Sequence, residues 1–126
     1  MENQELKEKL QPYFDSIEEM VRNLNTAREQ DNDEAIEEAE QVIQEDPLSV
    51  QVRSGWFNIG EPLEASEYEI LLSWGGPAVH IVGVLNEYHE PETAKLEFQD
   101  WDIPWDGVYF EEEILLQYAR NFYFGE

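Results

Sequence analysis

The chain comprises 126 residues, enough for one domain that buries a core without covalent staples, and its lack of cysteine excludes disulfides, thiolate zinc sites and a cysteine nucleophile. Thirty Asp and Glu against seven Lys and Arg give a formal net charge of −23, spread along the chain: residues 1–47 hold 15 acids and 4 bases, and residues 48–126 hold 15 and 3. Direct contact with DNA, RNA or an anionic membrane needs a basic footprint, so none is expected.

The first third has helical periodicity. Leu6, Leu10, Phe14, Ile17, Val21 and Leu24 recur every three or four residues and form one apolar stripe. Pro12 interrupts it, which predicts a kink or a helix starting near that residue. "REQDNDEAIEEAEQVIQEDP" predicts a turn and a second helix. Asp31 or Asp33 is the expected cap, Ile36, Ala39 and Ile43 face inward, and Pro47 is the stop. Residues 1–46 thus read as an antiparallel helical hairpin.

Beyond residue 47 the period changes. "LSVQVRS" alternates apolar and polar residues as a half-buried strand does, and "SGWFNIGEP" reads as a loop. "EYEILLSW" and "AVHIVGVL" are β-rich runs joined by Gly75-Gly76-Pro77, and "TAKLEFQD" alternates again. "EEEILLQYARNFYF" returns to helical spacing through Ile114, Leu115, Tyr118, Ala119 and Phe122. The order ααββββα predicts a single α+β domain: a three- to four-stranded antiparallel sheet with helices on one face and a C-terminal helix. Residues 1–9 lack the apolar segment of a signal peptide, and no run approaches roughly 18 apolar residues, so a cytoplasmic protein of a bacterial cell is expected.

From residue 46 onward, "EDPLSVQVRSGW", "ILLSWGGPAVHIVGVL", "AKLEFQDWDIPW" and "YARNFYFGE" resemble a family of small acidic proteins carried on prophages, plasmids and other mobile elements. That resemblance implies genomic company and no particular activity. In character, such proteins are similar to anti-CRISPR and antirestriction proteins, several of which imitate DNA.

The segment "DWDIPWDGVYFEEE" at 100–113 concentrates six carboxylates and four aromatic rings. Asp100, Asp102, Asp106 and Glu111 fall at positions 1, 3, 7 and 12 of a calcium-loop count. Pro104 at position 5 and Trp105 at the position that needs Gly defeat the match, so no metal is expected. Either Trp101, Ile103 and Trp105 tuck under the sheet while the Asp side chains stay hydrated, or Trp101, Trp105 and Tyr109 anchor the rim of a contact. Glu112 completes the acids of this segment offered to a partner. His80, inside an apolar strand, is expected to be buried and hydrogen-bonded. His89 lies in a polar turn, and neither histidine has zinc-ligand spacing. No nucleophile elbow, phosphate loop or cofactor motif is present, so neither catalysis nor a cofactor is expected.

The helices carry another signal. Glu34, Glu37, Glu38 and Glu45 fall on the side of the second helix away from Ile36 and Ile43, and Glu5, Glu8, Asp15 and Glu19 line the first. Like charges three or four residues apart stand about 5–6 Å apart and cost a few tenths of a kcal/mol each. Few bases relieve them, which points to a partner that supplies the cations. Adaptation to high salt would favour Asp as much as Glu, yet 23 of the 30 acids are Glu. Two functions fit. One is a non-enzymatic inhibitor whose carboxylates occupy the basic groove of a host nucleic-acid-binding complex, such as a CRISPR effector or a restriction enzyme. The other is an acidic module that partners the basic replication or transfer protein of its own mobile element.

Overall fold

The computed structural model describes residues 2–75, 77–100 and 103–124, with the backbone alone at Ile103. Its elements run α1 (Asn3–Glu29), α2 (Asp33–Glu45), β1 (Ser49–Ser54), β2 (Ala65–Ser73), β3 (Ala78–Val84), β4 (Lys95–Asp100), β5 (Ile103–Asp106) and α3 (Glu112–Ala119). Among the described residues no helix is long and apolar enough to cross a membrane.

The stripe on α1 is buried from end to end: Leu6, Leu10, Phe14, Ile17, Val21 and Leu24, joined by Ala27. The helix runs through Pro12 without a break, so it does not begin there. An interior proline costs about 3 kcal/mol through a lost hydrogen bond and a clash with the carbonyl four residues back. Pro12 and Glu8 both lie on the exposed side, so the carbonyl that loses its partner is on the solvent face. The apolar residues on either side of Pro12 bury into one core, and packing outweighs the local penalty. At its C-terminus Asp31, not a glycine, takes the left-handed conformation (φ 53°). Asp31 N–H donates to the Arg28 carbonyl at 3.1 Å and Asn32 N–H to the Ala27 carbonyl at 3.2 Å, the pairing of a Schellman motif. The cap of α2 is therefore neither Asp31 nor Asp33. Asn32 Oδ1 accepts from Ala35 N–H at 3.2 Å, because the αL turn at Asp31 hands the cap position to the next residue.

The five strands form an antiparallel meander in the order β1-β2-β3-β4-β5. The fifth strand corrects the sequence-based count. Ile103–Asp106 pairs with β4 instead of looping, and Pro104 is tolerated because β5 is an edge strand with no further ladder to serve. Alternation sends Tyr68, Ile70, Val79, Ile81, Leu96 and Phe98 to one face, where they meet the helices in a single core. Phe110 stacks on Phe14 with centroids 4.9 Å apart, and Phe124 packs on Tyr68 at 5.0 Å. α3 is shorter than its periodicity predicts, because the Asn121 side chain donates to the Gln117 and Tyr118 carbonyls and closes the last turn. Two tyrosine hydroxyls join segments distant in sequence. Tyr118 OH donates to Asp46 Oδ2 at 2.7 Å, joining α3 to the end of α2, and Tyr68 OH donates to the Thr93 carbonyl at 2.6 Å.

Gly83 faces Tyr68 across β2–β3, and a Cβ there would drive into the Thr93 carbonyl and the Tyr68 ring. Gly83→Ala is expected to cost about 3 kcal/mol in urea unfolding, because backbone occupies the space and cannot yield cheaply. Burial pushes the Tyr68 and Tyr118 hydroxyls well above their ordinary range; the negative charge of Glu112 adds to the first and the Asp46 hydrogen bond to the second. A folded-state value raised above the unfolded one contributes stability that is complete below about pH 10 and is lost above it. Thermal stability should therefore fall on the alkaline side. Tyrosinate absorbance from these two residues should appear only with unfolding, and Tyr118→Phe should remove part of that late phase.

Candidate partner-binding surfaces

Helical geometry puts the α2 carboxylates where periodicity predicts. Ile43 is fully buried and Ile36 and Ala39 are half-buried, so Glu34, Glu37, Glu38 and Glu45 are all exposed. Glu5, Glu8, Asp15 and Glu19 are likewise exposed on α1. Neighbouring amides moderate some of this charge: Gln4 donates to Glu8 at 3.2 Å, Gln11 to Asp15 at 2.8 Å and Gln41 to Glu45 at 2.9 Å. Among the described residues, five of the seven Lys and Arg pair with acids: Arg22 with Glu18, Arg28 with Glu40, Arg53 with Glu67, Lys95 with Glu97 and Arg120 with Glu113. Exposed pairs of this kind add little to stability. The chain's own cations thus leave most of its acids without a counter-charge.

The described acids of the 100–113 segment have different surroundings. Asp100 is half-buried at the end of β4, and exposed Asp106 accepts the Gly107 N–H at 2.9 Å. Glu111 precedes α3 without capping it, and Glu112 accepts the Ala94 N–H at 3.2 Å, which pins α3 to the start of β4. Trp101 and Asp102 lie outside the described residues. Trp105 does not tuck under the sheet; β5 turns it to the outer face, away from the helices. Tyr109 is exposed. Among the described residues no three His, Asp or Glu are placed to hold a metal ion.

The outer face holds a cluster that spans four strands. His80 on β3 is only 4% exposed; its Nδ1 lies 2.7 Å from Glu69 Oε2 on β2 and its Nε2 lies 2.8 Å from Glu97 Oε1 on β4. The Trp105 ring on β5 stacks on the imidazole at 3.5 Å and 7°. Two N–H···O bonds need two protons, and a neutral imidazole supplies one. With both ring nitrogens against carboxylates and one ring face covered by Trp105, the cluster ties β2, β3, β4 and β5 together. Beside it Arg53 grips Glu67 through two bonds of 3.1 and 2.9 Å. That hydrogen bond pushes the guanidinium up and holds the Glu67 carboxyl below its usual range. These residues and Lys95 line a groove of about 530 Å³. The burial of His80 follows from its place in an apolar strand. Its partners were missed, because only strand register brings residues 69, 80, 97 and 105 together.

A second feature was also missed. The 55–64 loop between β1 and β2 places Trp56 and Ile59 in full contact with water, at 103% and 107% of their reference exposure, with Leu63 mostly exposed and Phe57 partly so. A turn at 58–61 holds this shape: Glu61 N–H donates to the Asn58 carbonyl at 3.1 Å, Asn58 Nδ2 to Glu61 Oε1 at 2.9 Å, and Gly60 takes φ 92°. The signal in sequence was four large apolar residues in a Gly- and Pro-bounded loop, with neither strand nor helix period to bury them.

Glu97→Ala leaves a nearly buried imidazole nitrogen without a partner and is expected to cost about 2–3 kcal/mol in urea unfolding. Glu69→Ala should cost less, since water reaches that position more readily than Glu97. Equal costs would mean that Nε2 is served by solvent. No protein-family model matches the chain, and no curated protein or solved structure is significantly similar to it.

Proposed function

We propose that this protein is a non-enzymatic inhibitor that occupies the basic DNA- or RNA-binding groove of a host defence complex, of the anti-CRISPR or antirestriction type. One observation carries the reading. The carboxylates of α2 and α1 stand exposed in rows while the chain's cations are largely paired internally, so a −23 surface meets solvent with little counter-charge of its own. The physics would be long-range attraction to clustered Lys and Arg, fast encounter and strong dependence on salt. The resemblance of residues 46 onward to proteins of prophages and plasmids supplies the setting, a mobile element facing host defences.

Affinity capture on the immobilised chain, eluted with salt, tests the reading. The eluted partner should itself bind DNA or RNA, and added nucleic acid should displace the inhibitor. Affinity should drop steeply between about 0.1 and 0.5 M salt. Reversing Glu34, Glu37 and Glu38 together to Lys should slow association by about tenfold or more and leave dissociation nearly unchanged, with the melting temperature preserved. A partner encoded by the mobile element itself would favour the accessory-module reading. Binding that ignores salt, competing DNA and the triple reversal would sink both.

A further inference from the structure

We infer that the 55–64 loop is an apolar anchor that inserts into an apolar pocket, rimmed by Lys and Arg, on a protein partner. This goes beyond the proposed function, because it concerns a different surface and holds whether or not the partner binds nucleic acid. Trp56, Ile59 and Leu63 project from one loop whose 58–61 turn is held by hydrogen bonds, so the apolar side chains are presented and not collapsed. Exposed apolar groups gathered in this way mark interaction sites, and tryptophan leads the residues that dominate binding energy.

Charge identifies the occupant. Glu61 and Glu64 lie within the loop and are exposed. The 86–93 loop leaves the same end of the sheet, since Ser54 pairs with Ala65 and Leu85 N–H donates to the Ser66 carbonyl at 2.8 Å; it adds exposed Glu87, Glu90 and Glu92. Arg53, at the foot of the loop, is clasped by Glu67. The apolar tip therefore carries an acidic collar. A second copy would bring the same collar and the same −23, and an anionic bilayer would be repelled, so neither complements this surface. A basic-rimmed apolar pocket does, with carboxylates meeting the rim as the rings lose water at the centre.

The probe is a phage-displayed random peptide library panned on the immobilised full chain. Enriched peptides should combine Lys or Arg with large apolar residues. Trp56→Ser and Ile59→Ser should each weaken their binding by at least about tenfold without lowering the melting temperature. Glu61→Lys with Glu64→Lys should weaken it as well, whereas the α2 triple reversal should leave it unchanged, which separates this surface from the one proposed above. The inference is overturned if no basic and apolar consensus emerges, or if the loop variants bind such peptides normally. It is equally overturned if sedimentation shows a dimer that Trp56→Ser abolishes, which would make a second copy the occupant. Binding to phosphatidylcholine vesicles that the same variant abolishes would do so too, by making it a lipid surface.

Discussion

The apolar seam between α1 and the inner face of the sheet organises this molecule. Leu6, Leu10, Ile17, Val21 and Leu24 share one core with Ile70, Ile81, Leu96 and Phe98 of the strands and with Leu115 and Tyr118 of α3. Each fully buried side chain of this kind contributes about 1.5–3 kcal/mol, and a chain whose net charge opposes compaction has few other sources of cohesion. The seam carries α1 through Pro12, and through the Asp46–Tyr118 hydrogen bond it sets where α2 ends and α3 sits.

Burial on one side only has a consequence for the other. With the helices committed to the inner face, no layer of the described residues lies above the outer face of the meander. The chain covers part of that face with its own residues, by closing Trp105 of the edge strand over His80 and flanking the imidazole with two carboxylates. In an acidic protein this is an economical way to fix register. One histidine engages two of the excess carboxylates, and neighbouring strands cannot slip by a residue without separating them.

Acids and exposed rings divide the remaining surface. The helices present carboxylates in rows that suit a basic groove. The 55–64 loop presents apolar side chains inside an acidic collar, which suits a pocket. The two surfaces supply different parts of recognition: charge governs encounter and salt dependence, and desolvated rings govern how long a complex lasts.

Much of this was legible in the residues alone. The α1 stripe, the inward set Ile36, Ala39 and Ile43, and the alternation of "TAKLEFQD" follow from helical and strand periods, which are local properties of the chain. The exposure of Glu34, Glu37, Glu38 and Glu45 and the burial of His80 follow from the same periods. What the periods cannot carry is the identity of neighbours from distant parts of the chain. Four residues containing a proline hold no strand signal, yet Ile103–Asp106 pairs because β4 offers an edge, and that pairing sends Trp105 outward. The choice of Asn32 over Asp31 as the cap depends on which residue takes the left-handed turn as α1 docks. Local composition set which faces would be wet or dry, and only the tertiary register decided which side chains meet across them, because contact between residues 69, 80, 97 and 105 is a property of strand pairing and not of any one stretch of chain.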